Sequence, residues 1–195
     1  MLQLYFAPGA SSMAPHIMLH EVGAPFEAHP ISLGKKENRA PAYLAVNPEG
    51  KVPTLLIEGR RLTEVAGILY YLARHFPDAG LFPQGDVLAE AQAISWMSFI
   101  AATVHPARGR GGDYAMGIFG LADQRLGSGP WALGAKYSIA DIHLFRLYWR
   151  FVNALPTRPS KGTFPNLEAH HDRMLARTAV QRTLAVESAI GYALP

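Results

Sequence analysis

Val52 and Pro53 form the first pair whose chemistry stands out. A residue before proline is held extended. Proline cannot donate to a β-ladder, so Pro53 belongs at the first position of a strand, often after a cis bond. The N–H and C=O of Val52 are then left to pair outside the sheet, and a peptide-like ligand can add there as a short extra strand. Glu64 follows Thr63 at the opening of a helical pattern, where an acidic side chain favours the helix dipole. Ser11 and Ser12 precede another helical stretch, and either hydroxyl can cap it. The paired His170-His171 lacks ligand spacing and carboxylate company, so no metal is expected. Cysteine is absent, which excludes disulfides, thiolate–metal sites and a catalytic cysteine.

The elements around these residues read as follows. Leu2 to Phe6 is a first strand, and Ala7 to Ser12 a loop. Pro15 is tolerated in the first turn of the next helix, whose apolar side is Ile17, Met18, Leu19 and Val22 and which ends at Gly23. Phe26 to Ile31 is a second strand, interrupted by Pro30 and therefore an edge. Asn47-Pro48-Glu49-Gly50 is a turn. Thr54-Leu55-Leu56-Ile57 and a return at Arg61-Leu62 make a hairpin around Glu58-Gly59-Arg60. Val65, Leu69, Leu72 and Phe76 then keep helical spacing up to Pro77. This is β-α-β, a connection, then β-β-α.

Residues 77–87, with two prolines and two glycines, read as a linker. Beyond it everything reads helical. Ile94, Met97, Ala101 and Val104 share one face, and Arg108 to Gly112 must break that helix. A weak helix covers Ile118 to Leu126. Ser138-Ile139-Ala140-Asp141 is a capping box, after which Ile142, Phe145, Trp149 and Val152 line a buried face. Prolines 156, 159 and 165 mark a loop. Asn166 caps a helix carrying Leu167, His171, Met174 and Leu175, and a last helix runs from Val180 to Ser188.

A chain of 195 residues with 49% hydrophobic and 17% charged content fits a globular protein. No apolar run approaches the roughly 20 residues that span a bilayer, and the first residues lack the basic region of a signal peptide. A cytoplasmic protein with no membrane partner is expected. The net charge of +3 comes from scattered residues, which argues against nucleic acid.

The turn, Val-Pro pair, hairpin and Thr-Glu helix opening together resemble the glutathione transferase superfamily. Trp131-Ala132-Leu133-Gly134 followed by Ser138-Ile139-Ala140-Asp141 is similar to that family's turn and capping motif. The bacterial beta class is the nearest likeness. It is carried by Tyr5-Phe6-Ala7-Pro8-Gly9-Ala10-Ser11-Ser12, Ala14-Pro15-His16-Ile17, Lys35-Lys36, Ala45 to Pro53, and Trp96, Ser98, Phe99 and His105. The likeness covers nearly the whole chain, with two departures. The beta class has a cysteine where this chain has Ser11. The segment from His105 to Gly134 is short and carries Gly109, Gly111, Gly112, Gly117, Gly120, Gly127 and Gly129, which implies a truncated or broken second helix in the helical domain.

The resemblance implies a glutathione transferase fold: an α/β thioredoxin-like N-terminal domain (1–76), a linker (77–87) and an all-α C-terminal helical domain (88–195). It implies glutathione as co-substrate, a homodimer and a detoxifying transferase. Val52, before a cis Pro53, would pair with the cysteinyl backbone of glutathione. Glu64 and the Val65 N–H would meet its γ-glutamyl end, Lys35 its glycine carboxylate, and Ser98 and His105 would complete the site. A thiol with pKa near 8.5 needs help to ionise at neutral pH. Ser11 or Ser12 at a helix start is the candidate donor to the thiolate, with Tyr5 a further hydroxyl that is equally a core-edge residue. Arg108 and Arg110 are either ligands for an acidic co-substrate or solvated loop charges. The reaction expected is conjugation of the thiolate to a small apolar electrophile. The alternatives are a glutathione-binding or structural member without turnover, or a glutathione-dependent lyase, isomerase or peroxidase.

Overall fold

The computed structural model describes residues 1–154 and 159–192. Its contacts define two units, Met1–Phe76 with Thr178–Pro195, and Pro77–Arg177.

In the first unit, strand β1 (Leu2–Phe6) buries Leu2, Leu4 and Phe6 on one face and turns Gln3 and Tyr5 to the other. Helix α1 (Met13–Glu21) has every residue from Met13 to Leu19 buried, as a core helix must when no face meets water. It ends in a Schellman motif: Gly23 takes φ +64°, its N–H donates to His20 O, and Ala24 N–H donates to Leu19 O. Strand β2 (Phe26–Pro30) runs parallel to β1 at the sheet edge, where a proline removes no ladder bond. Helix α2 (Pro41–Val46) fills the connection and was not foreseen. Its pattern is too short to show a period, although Pro41 at the first helical position is a start signal.

Strands β3 (Thr54–Ile57) and β4 (Arg60–Thr63) form the expected hairpin, antiparallel to each other, with β3 antiparallel to β1. Glu58 and Gly59 both have positive φ, the type I′ geometry that matches strand twist. The sheet order is β2-β1-β3-β4. Helix α3 (Val65–His75) buries Val65, Ile68, Leu69 and Leu72, while Phe76 is only half-buried at the cap.

The second unit is helical. Its segment 77–87 holds a 3-10 turn at Pro77–Ala79, and buried Leu81 accepts the N–H of Ile139. Helix α4 (Val87–Phe99) is capped by Asp86, which accepts from the Leu88 and Ala89 N–H groups. A π-helical turn follows at Ile100–Val104, then α5 (His105–Ala107) and a 3-10 turn at Arg108–Arg110. The π turn adds a residue at Ala101. Trp96, Met97, Ile100, Val104 and Ala107 are inside, whereas Ile94 and Ala101, expected there, face solvent. The run Val87–Arg110 is long and apolar enough to cross a bilayer by length and composition, contrary to the expectation above. Its inward side chains belong to the core of the unit, while most of the run is not buried.

Gly111, at φ +107°, breaks the run where the Gly/Arg stretch predicts. Helix α6 (Gly112–Leu126) then spans 15 residues, longer than the weak helix read from Ile118 onward. Helix α7 (Ile139–Ala154) is buried around almost its whole circumference. Ile142 and Phe145 are inside as expected, but Trp149 and Val152 are half-buried. Helix α8 (Pro165–Leu175) starts after Phe164, so Asn166 is not its cap. The Asn166 amide instead donates to the backbone and carboxylate of Asp123 on α6. Pro156, one of the expected loop prolines, lies outside the described residues. Helix α9 (Thr178–Ala189) groups with the first unit and packs on α1, although the sequence reading placed it with the helical domain.

Candidate functional site

The turn before β3 is built from α2. Tyr43 hydroxyl and Asn47 amide meet the Thr54 hydroxyl, each at 3.0 Å, and the same amide donates to Lys51 O at 2.9 Å. Asn47 Oδ1 accepts the Glu49 N–H, closing an Asx turn. Gly50 has φ +62°, and a Cβ there would sit 2.7 Å from Arg39 Nη1 and 2.8 Å from Asn38 O, so no other residue fits. The chain leaves this turn through Val52, and the Val52–Pro53 bond is cis, as expected. The Val52 N–H has no partner among the described residues, and its carbonyl takes one hydrogen bond, from the Ser11 hydroxyl at 3.0 Å.

The two serines separate clearly. Ser12 is fully buried; its hydroxyl donates to Ala7 O at 3.1 Å and accepts from Ala7 N–H at 3.0 Å. Its one proton is spent on closing the loop, and neither serine caps α1. Ser11 is half-buried and stands at the edge where Val52 presents its backbone. The loop is also held from α9, because Glu187 accepts from Gly9 N–H at 2.8 Å and from His16 Nδ1 at 2.9 Å. Nothing in residue spacing could have revealed Glu187, since its contacts span almost the whole chain.

Glu64 occupies the N-cap of α3 at φ 65°, ψ 127°, a conformation rare for a residue with a Cβ, and its side chain is exposed and makes no cap. The first intrahelical acceptor bond is Ile68 N–H to Glu64 O, so the N–H groups of Val65, Ala66 and Gly67 open the helix. The Val65 side chain is buried, leaving only its backbone for a ligand. Lys35 is exposed, with its ammonium 6.0 Å from the Tyr192 ring. Tyr5 lies on the sheet face opposite α1, stacked on His29 with centroids 4.7 Å apart and tilted against Tyr43.

Ser98 and His105 belong to the second unit, and both reach solvent. Desolvation of the His105 ring, then the charges of Arg146 and Arg108, hold its pKa below the usual histidine range. No group of three or more metal-ligating side chains occurs among the described residues.

A four-stranded sheet with a cis-proline turn, followed by a helical unit, defines a thioredoxin-like N-terminal domain joined to an all-α domain. The family models "Glutathione S-transferase, N-terminal domain" and "Glutathione S-transferase, C-terminal domain" match residues 1–74 and 114–185. The chain belongs to the glutathione S-transferase family. It is 30% identical to glutathione S-transferase GstA of Escherichia coli O157:H7, over 95% of this chain and 98% of that protein. A maleylacetoacetate isomerase of Pseudomonas aeruginosa is 27% identical over 87% of this chain and 92% of its own. Among solved structures, a sphingomonad glutathione S-transferase complexed with glutathione superposes with a TM-score of 0.86 at 30% identity, covering 95% of this chain and 98% of that one. The bacterial beta-class enzyme of Sphingomonas chungbukensis gives 0.83 at 33% identity, covering 95% and 98%. The beta-class likeness therefore stands, without the cysteine.

Proposed function

We propose that the first unit binds glutathione and that the protein conjugates its thiolate to a small apolar electrophile. The observation that carries this reading is Ser11 Oγ lying 3.0 Å from Val52 O, beside an unpartnered Val52 N–H. A peptide backbone added at Val52 brings its side chain to that hydroxyl. In this reading the N–H groups at the start of α3 take the γ-glutamyl carboxylate and Glu64 its ammonium. The strained Glu64 backbone is consistent with a residue held for a ligand. Lys35 faces the glycine carboxylate, and Tyr5 is a lesser hydroxyl. Ser11 turns from Val52 O to the thiolate, and the helix start adds its dipole.

Ser11→Ala is expected to raise the pKa of the bound thiol by about one unit, equal to about 1.36 kcal/mol. Affinity near neutral pH stays unchanged, because the thiol form binds through the other contacts. Glu64→Gln does the reverse: calorimetric affinity falls by about 1.5 kcal/mol, the low end for a charged hydrogen bond because the side chain is exposed. kcat holds, since ground and transition states lose equally. Thiolate absorbance against pH reads the first variant. A shift in Ser12→Ala alone moves the role to Ser12, and an unaltered affinity in Glu64→Gln removes Glu64 from the site.

Binding without turnover is the second reading, favoured by the Ser11 proton already being donated to Val52 O. Retention on glutathione-agarose with no activity on an aryl halide or a broad electrophile panel would select it. The homodimer and the cytoplasmic setting belong to the same proposal. They rest on the family and on exposed Val87, Leu88 and Ile94 along α4, a surface that a second copy can cover. A sedimenting species of 21.3 kDa at micromolar concentration would remove the dimer.

A further inference from the structure

The second unit buries one guanidinium, that of Arg150, whose Nε and Nη1 no hydrogen bond satisfies among the described residues. His143, Arg146 and Arg150 lie three and four residues apart on one face of α7, and each is at most 5% exposed. His105 and Arg108, from the turns after α4, act electrostatically on the same group. The charges of Arg108 and Arg146 bear on His105, those of His105 and Arg146 on His143, and that of Arg108 on Arg150. The one charge that bears on Arg150 is that of Arg108, a second cation.

Arg150 is only 3% exposed, yet its Nε and Nη1 have no hydrogen-bond partner; Arg108 Nε and His143 Nδ1 are also buried without one. A buried guanidinium lacking both counter-charge and acceptors costs several kcal/mol. Folded proteins retain such a group where something fills the gap. A guanidinium fork matches planar or tetrahedral oxyanions, and Arg150 with Arg108 beside it forms a donor set for one small anion.

We infer that the face of α7 carrying His143 and Arg150, together with Arg108, is a binding site for a small oxyanion, a carboxylate or a phosphate. The site lies wholly within the second unit and does not depend on the glutathione reading. The sequence reading left Arg108 open between an acidic ligand and bulk solvent. Arg150 decides for the ligand, because its side chain is buried and unpaired.

The test is thermal unfolding of the full chain in sodium succinate, in inorganic phosphate and in sodium chloride at matched ionic strength. A ligand at 100 times its Kd adds about 2.7 kcal/mol, which for a chain of this size raises Tm by about 5–10 °C. That rise is expected over chloride in succinate, in phosphate or in both, and the arm that gives it identifies the oxyanion. Arg150→Met is expected to abolish the rise while leaving the Tm in chloride equal or higher, since it removes an unpaired buried charge. Arg108→Ala, at a half-buried position, is expected to reduce the rise and keeps the test open if the first variant does not fold. The inference is overturned if neither anion exceeds chloride, if the rise survives in both variants, or if folded Arg150→Met melts well below the parent in chloride.

Discussion

Asp141→Ala is expected to destabilise the protein by about 3–5 kcal/mol, the cost of leaving a buried polar network without its charged partner. Asp141 is fully buried and accepts four hydrogen bonds: Ala132 N–H at 2.7 Å, Ser138 N–H at 2.8 Å, Ser138 hydroxyl at 3.0 Å and His170 Nε2 at 3.1 Å. The carboxylate only accepts, so His170 carries its proton on Nε2. One side chain thus joins the start of α7, the loop before it and α8. Alanine satisfies none of the four donors, and each orphaned buried donor costs about 1–3 kcal/mol before relaxation. Urea unfolding of the two chains measures the difference. A loss below about 1 kcal/mol would mean that water replaces the carboxylate, and the network would not be what holds the second unit.

Glu187→Ala is the second large effect, also about 3–5 kcal/mol, and it falls on the first unit. Glu187 is 4% exposed and His16 1% exposed, so their 2.9 Å contact is a buried pair, and the second carboxylate oxygen takes Gly9 N–H. Removing it strips α1 and the loop before Ser11 of their tie to α9. Stability and the geometry of the loop before Ser11 are therefore lost together, and under the proposed function glutathione affinity falls as well. Glu187→Gln retains an acceptor and should recover part of both. Urea unfolding gives the energy, and amide exchange at Gly9 reports the loop. An amide as protected in the alanine variant as in the parent would show that α9 does not hold it.

Features made by neighbours in sequence were legible. The hairpin follows from Glu58-Gly59, where positive φ at both turn residues is a local demand. The capping box at Ser138 and Asp141 follows from a spacing of three, and the Val52–Pro53 geometry from one proline. Ala101 faces solvent because periodicity assumes 3.6 residues per turn and a π turn at Ile100–Val104 changes the phase, whereas Ile94 precedes that turn and is exposed because Ala93, Trp96 and Met97 take the buried face of α4.

The sequence by itself determined the order of the strands, the turn that exposes Val52 and the helix start at Glu64, but not α2, and the family came from resemblance. The first three rest on short-range backbone preferences and residue spacing. Only the tertiary structure decided which serine stands at the Val52 edge, because both flank one helix start and the loop path turns Ser12 inward onto Ala7. It also decided that Glu187 holds a loop 178 residues away, and that Arg150 is buried unpaired rather than solvated. A side chain's burial and partner are set by what folds against it, and that information lies in other segments of the chain.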